Sequence, residues 1–361
     1  MFKIPFYAKA ALIFIALYGF IFGLYLCQGI LVPLLYALLF AMVLNPFVNF
    51  LQSKKLPKFF AIFTSIALVI VIIFGLVYFV YSQCTVFVDN YPEFRIKIDS
   101  TIHQIVHWAS KYFNIKTVQI NTWVQETEDQ AFSDSGQMIG RTLVDLGNTL
   151  FILLLLPIYL FLILSYKELL IEFIRQLFKT THHTAVFEIL LKIKMIVQRY
   201  LKGLLIEVIL MAIMNSIGLL ILDIDFAIFI GITGAILNII PYFGGIVAMA
   251  LPMTIAFVTK DSVTYTFLVM AVYLLIQFID NHFIIPYIVA SRVKLNALIT
   301  IVVVLVGGAL WGIPGMFLSI PLTAILKVIF DQIESLQPWG YLFGNVVSTE
   351  SKFRFLHRRK P

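Results

Sequence analysis

Tyr273, Gln277, Asp280 and Asn281 recur at i, i+4, i+7 and i+8, which puts four polar side chains on one helical face. The stretch that carries them, Val263 to Ile285, is otherwise apolar and long enough to cross a bilayer. A carboxyl group inside such a stretch is costly, so it faces a cavity or the bundle interior and marks a path for ions, protons or solute. Asp280 could carry a coupling proton or cation, with Gln277 and Asn281 offering neutral oxygens beside it. The competing structural reading pairs Asp280 with Arg292 or Lys294, roughly one turn beyond the end of the span. Glu207 is a second acid of this kind, about one turn from the basic end of the apolar run Gly203 to Leu222. A proton or cation role there competes with a pair to Lys202 and a snorkelling side chain. Asn215, further along the same run, fits an interhelical hydrogen bond.

The elements that must position these groups include two apolar stretches broken at their centres. The first, Asp225 to Val258, contains Gly231, Gly234, Asn238, Pro241, Gly244, Gly245 and Pro252. The second, Asn296 to Phe330, contains Gly307, Gly308, Gly312, Pro314, Gly315 and Pro321. Lipid offers no hydrogen bonds to a freed backbone group, so a break at membrane depth is buried in protein or lines a wet cavity. Paired interrupted segments point to a transport site; two kinked packing helices without a substrate are the plainer alternative. Unwound carbonyls near Gly244, Gly245 and Gly312 would suit a cation or a sugar-like hydroxyl, and half-helix N-termini an anion. The residues do not select between them.

Composition fixes the environment. Of 361 residues, 61% are hydrophobic and 12% charged, about half the charged share of a soluble domain, and mean hydropathy is +0.98. The chain is an integral membrane protein. Its net charge of +7 is the lysine and arginine excess of cytoplasmic loops rather than a nucleic-acid footprint. Cys27 and Cys84 are too few for a disulfide framework or a paired-cysteine metal site, and His182-His183 cannot place both rings on one helix face. No cofactor or metal is expected. Zinc-protease, nucleophile-elbow and phosphate-loop signatures are absent, which argues against an enzyme and against ATP-driven pumping by this chain alone.

The expected architecture is all-α, with about eight transmembrane helices that include the two broken, re-entrant-like segments. Residues 1–82 hold three spans (Ala10 to Cys27, Ile30 to Leu51, Phe59 to Tyr81), and the first is a retained helix rather than a cleaved signal. Residues 83–141 form an acidic extracytoplasmic segment. Within it Ile98, Ile102, Ile105, Val106, Ala109 and Phe113 predict an amphipathic helix, either a structural cover or a gating cap. Residues 142–166 are the fourth span. Residues 167–202 form a basic inner segment with two apolar stripes, one through Leu169, Leu170, Phe173, Ile174 and Leu177, the other through Val186, Ile189, Leu190 and Ile193. Both read as helices lying on an anionic leaflet. Residues 203–333 are the core transport region, and 334–361 a basic inner tail. Lysine and arginine in the terminal segments and in the loops around Lys54 and Lys167 to Lys202 put both termini in the cytoplasm. If each broken segment is a hairpin, the Arg292/Lys294 loop lies inside; if each is one span, it lies outside. The positive-inside rule favours hairpins.

The runs Asn238-Ile-Ile-Pro-Tyr-Phe-Gly-Gly245, Ala250-Leu-Pro252, Gln277-Phe-Ile-Asp-Asn281 with Pro286, Gly307-Gly-Ala-Leu-Trp-Gly-Ile-Pro-Gly315 and Ile320-Pro-Leu322 are each weak signals, but their order and spacing are specific. Together they resemble the autoinducer-2 exporter (AI-2E) family of bacterial membrane permeases. The resemblance covers most of the chain and is strongest over Tyr200 to Phe330. It implies a multi-pass inner-membrane protein of about eight helices. Export of the quorum-sensing signal autoinducer-2 is associated with some members, and exchange of sodium or lithium against protons with others. Glu207 departs from the apolar or neutral residue usual in the family, which tilts toward ion or proton coupling. The expected function is export of a small polar solute by a secondary mechanism, from a homo-oligomer in the bilayer. A cation/proton antiporter using Asp280 and Glu207, and a non-transporting scaffold, are the alternatives.

Overall fold

The computed structural model describes residues 5–89, 154–179, 182–240, 244–260, 262–289 and 295–344. Residues 90–141 of the expected extracytoplasmic segment, 142–153 of the expected fourth span and the tail beyond residue 344 lie outside these, as do Pro241, Arg292 and Lys294; residues 83–89 continue the third helix. Every regular element among the described residues is helical apart from one isolated β-bridge. Among the described residues six helices are long and apolar enough to cross a membrane, or seven if one bent pair counts as a span.

Helices α1 (Phe6–Leu26) and α2 (Gln28–Ser53) are joined at Cys27, and α3 (Lys58–Asp89) follows a tight turn in which Lys55 takes a positive φ of 67°. No residue of α1 is buried, which suits a helix surrounded by lipid or neighbouring subunits. Ala37, Ala41 and Val48 of α2 pack with Ala61 and Ile62 of α3 and with Leu160 and Leu164 of α4 (Leu154–Ser165). The small alanines let the three backbones approach, as membrane helix packing requires.

The chain bends by 66° from α4 into α5 (Lys167–Gln176). Lys167 fixes this elbow, donating to the side-chain oxygens of Asn45 and Asn49, each at 3.1 Å. Partial burial lowers the pKa of its ammonium. Leu169, Phe173 and Leu177 of the predicted apolar stripe remain exposed.

Helix α6 (His183–Ile221) differs from the expectation. The sequence reading separates a surface helix from a span beginning at Gly203, whereas one unbroken helix of 39 residues runs through both. At 1.5 Å per residue it is roughly 58 Å long, nearly twice the hydrocarbon thickness. The stripe through Val186, Ile189 and Ile193 does not lie free on a leaflet. Ile193, Val197, Tyr200 and Leu201 pack with Leu39 of α2 and with Leu318, Ala324 and Val328, and Ile189 packs against the same cluster. A stripe of this kind has the same periodicity whether it meets headgroups or protein, so periodicity alone could not separate the two.

The first broken segment is a helical hairpin. Helices α7 (Ala227–Leu237) and α8 (Gly244–Thr259) run antiparallel: Gly244 sits on Leu237 and Asn238, Gly234 faces Ala248, and Ala227 and Ile230 share a cluster with Ile255 and Ala256. The hairpin lies against the second half of α6, where a Cβ on Gly231 would come within 2.6 Å of the Ser216 backbone nitrogen. Helix α9 (Thr264–Ile279) completes this group and continues into a π-helical run, Asp280–Val289.

The second broken segment, α10 (Ala297–Gln332), also folds back on itself. Non-helical angles at Trp311 and Gly312 separate an arm over 297–310 from one over 313–332. Gly312 has φ +63°, a left-handed conformation that glycine takes without a Cβ penalty. The arms touch through glycine: a Cβ on Gly307 would meet the Gly315 carbonyl at 2.5 Å, and one on Gly308 would meet Met316 at 2.6 Å. Helix α11 (Gln337–Phe343) closes the base, with Asn296 donating to the Leu342 and Gly344 carbonyls at 2.5 and 3.2 Å.

Candidate functional site

The two halves of α6 have different partners. Residues 193–201 pack with α2 and the second arm of α10, while Met211 and Leu219 pack with α7, α8, α9 and the π-helical run. Where the partners change, a cavity of ≈ 590 Å³ opens, within the range of small-molecule sites. Tyr200, Leu204 and Glu207 of α6 form one wall, and Tyr273, Gln277, Asp280 and Asn281 another. Asn238, Gly245 and Ile246 from the turn of the first hairpin form a third, and Thr300 and Ile320 enter from the two arms of α10.

The predicted polar face of the span is thus assembled as drawn: all four of its members line one cavity. The switch to π-helix at Asp280 was not legible, because no residue type specifies it. A π-turn widens the helix and often marks a functional position. It leaves His282 pointing elsewhere, its Nδ1 2.9 Å from the Phe278 carbonyl and its ring stacked on the Phe278 ring.

Asp280 is fully buried. Its Oδ2 accepts from Asn238 Nδ2 at 3.5 Å and Gln277 Nε2 at 3.4 Å, both long bonds. Its Oδ1 is buried with no hydrogen-bond partner among the described residues, and the same holds for the Tyr273 hydroxyl. A buried polar atom without a partner costs about 1–3 kcal/mol, and residues lining this one cavity carry two of them. Gly245 lets the start of α8 into this group: a Cβ there would lie 2.8 Å from Gln277 Oε1 and 3.4 Å from Asn238 Oδ1. The turn therefore presents the carbonyl end of α7 and the amide end of α8 next to the carboxyl group, opposite partial charges at one place.

Other predicted site residues lie elsewhere. Asn215 is buried against Gly234, 3.5 Å from a Cβ placed there, and is not a cavity residue. Gly244 is spent on the hairpin turn. Pro286 falls in the π-helical run. Gly312, Pro314 and Gly315 form the fold of the second hairpin, away from the cavity. There the Pro314 carbonyl accepts from the Tyr36 hydroxyl at 3.2 Å, and Trp311 Nε1 donates to the Leu24 carbonyl at 3.1 Å. The sequence reading missed Tyr200, Thr300 and Ile320. Each lies on an element whose relation to the cavity is set only by long-range packing.

Membrane-length helices and two antiparallel hairpins, with a buried acid on the wall of a solute-sized cavity, define a multi-span membrane protein. Comparison with known proteins places it more closely: the chain belongs to the family described as AI-2E family transporter, whose model matches residues 13–335. It is a membrane transporter. The chain is 25% identical over 319 residues to YueF of Bacillus subtilis (strain 168), named as a candidate transport protein, with 83% of each chain covered. It is 24% identical over 335 residues to a candidate transport protein of Haemophilus influenzae, covering 90% of this chain and 92% of the relative. It is 23% identical over 326 residues to the AI-2 transport protein TqsA of Escherichia coli (strain K12), covering 90% and 92%.

Proposed function

We propose that this transporter moves a small polar solute, such as the autoinducer-2 signal, outward by a secondary mechanism, with the cavity beside Asp280 as its binding site. The observation that carries this reading is the meeting, in one cavity, of the first hairpin's turn with the polar face of α9 and the π-helical run. A backbone interrupted at membrane depth is tolerated where it lines such a space, and the name of the relative TqsA points to the solute. On this reading the protein is a homo-oligomer of the bacterial inner membrane with about eight membrane segments, both hairpins being re-entrant. Both termini lie inside, in keeping with the basic loops.

Proteoliposomes with an imposed proton gradient test it, loaded in turn with autoinducer-2, sodium and lithium. Autoinducer-2 should move in protein-containing vesicles and not in empty ones. Movement of none of the three under any gradient contradicts the reading.

Glu207 lines the same cavity as Asp280, and that pairing of acids favours a second reading, antiport of sodium or lithium against protons. Asp280→Asn or Glu207→Gln would abolish antiport, whereas uncoupled solute flux survives both changes.

A further inference from the structure

The described cavity lining holds two carboxyl groups, three carboxamides, two phenols and one threonine hydroxyl, and no lysine, arginine or histidine. The buried polar atoms of the lining left without partners are oxygens: Asp280 Oδ1 and the Tyr273 hydroxyl. The amide nitrogens of Asn238 and Gln277, which could have greeted an anion, are turned onto Asp280 Oδ2. Glu207 adds a second carboxyl group on the facing wall, 7% exposed. A buried charge is tolerated when it is paired, and the protein provides no cationic partner here among the described residues. A proton or a cationic or hydrogen-bond-donating solute entering the cavity would supply that partner.

We infer that the cavity sorts solutes by charge: it takes a small hydrogen-bond-donating molecule that is neutral or cationic, and it turns anions away. This deepens the transport reading above and rests on it for the place of the site. A hydroxyl or ammonium group donates to Asp280 Oδ1 and to the Tyr273 oxygen, while Asn281, Thr300 and Glu207 meet the remainder of the molecule. An anion in the same position faces two carboxyl groups on the walls of one cavity, and like charges brought that close repel. A solute that exists in both neutral and anionic forms is carried in the neutral one.

The test is thermal unfolding of the purified full-length protein in detergent with three four-carbon probes: erythritol, putrescine and succinate, each at about 50 mM. A ligand that binds the folded state raises the midpoint in proportion to its occupancy. Erythritol and putrescine should raise it. Succinate should not, with an apparent affinity at least about tenfold weaker than either. Glu207→Gln should weaken putrescine about tenfold more than it weakens erythritol, since a charge-assisted bond is lost only for the amine. Thr300→Lys puts a cation on the wall and should admit succinate. Stabilisation by succinate equal to that by erythritol overturns the inference, as does stabilisation by none of the three. Flux of autoinducer-2 in proteoliposomes separates the two ideas: flux with equal binding of succinate removes the charge rule alone, and absence of flux removes the transport reading.

Discussion

Two helical hairpins, each broken by glycine and proline, end in different surroundings. The turn of the first, around Asn238 and Gly245, lines the cavity and touches Asp280 and Gln277. The fold of the second, at Trp311 and Gly312, is tied to α1 and α2 through Leu24 and Tyr36, and only Thr300 and Ile320 of its arms reach the cavity. The difference lies in what surrounds the break. The first turn carries the Asn238 amide and faces Gln277 and an acid, so its freed backbone has polar company. The second is stitched to its neighbours by the Tyr36 hydroxyl of α2, which donates to its Pro314 carbonyl, and by its own Trp311, which donates to the Leu24 carbonyl of α1, so its backbone is met by protein rather than by a cavity. A broken helix is thus not by itself a transport site; the polar side chains beside it decide.

The predictions that press hardest on this contrast concern packing. Gly307→Val or Gly315→Val forces a side chain into the opposite arm's backbone, at about 3 kcal/mol or more. Size-exclusion profiles of the fluorescently tagged protein should show loss of the folded species. Asp280→Asn keeps the shape of the first site and removes its charge. The folded yield should be unchanged, while cation-coupled flux falls at least about tenfold, equivalent to 1.4 kcal/mol of barrier.

Smaller changes sharpen the assignment of the second hairpin as structural. Gly312→Ala has open space around its Cβ but a φ of +63°, so the expected loss is the left-handed penalty of about 1 kcal/mol, read as a lowered unfolding midpoint. Trp311→Phe and Tyr36→Phe each remove one hydrogen bond to a backbone carbonyl and should cost about 1 kcal/mol apiece, with solute selectivity unaltered in flux competition. Smallest is the exposed pair at the far end of α8, Lys260 to Asp223 at 3.1 Å, worth less than about 1 kcal/mol. The bond to Asp223 raises the Lys260 pKa. Its contribution is present below the ordinary lysine pKa and is lost as pH rises through the raised one, so Lys260→Met should matter at neutral pH and not in strong alkali.

Much of the site was legible because helical spacing is local. The i, i+4, i+7 and i+8 polar set from Tyr273 to Asn281 needed only the helix period to be placed on one face. The hairpins were legible from short apolar arms and from glycine and proline between them. What escaped depends on distant contacts. That α6 runs unbroken past Gly203 follows from its packing against α2 and the second arm of α10. That Asn215 serves a helix contact while Glu207, two turns away, serves the cavity is set by where α7 crosses α6. Polarity alone could not rank them.

The central claim is that the first hairpin's turn is wet and the second hairpin's interior is dry. It is tested most directly by cysteine accessibility in a Cys27→Ser, Cys84→Ser background that retains flux. A membrane-impermeant, water-soluble thiol reagent should modify Asn238→Cys in intact membranes. It should leave Ser319→Cys, buried between the arms of α10, unmodified until the protein is unfolded. An unreactive Asn238→Cys in folded, flux-competent protein, or equal reaction at both positions, contradicts the account.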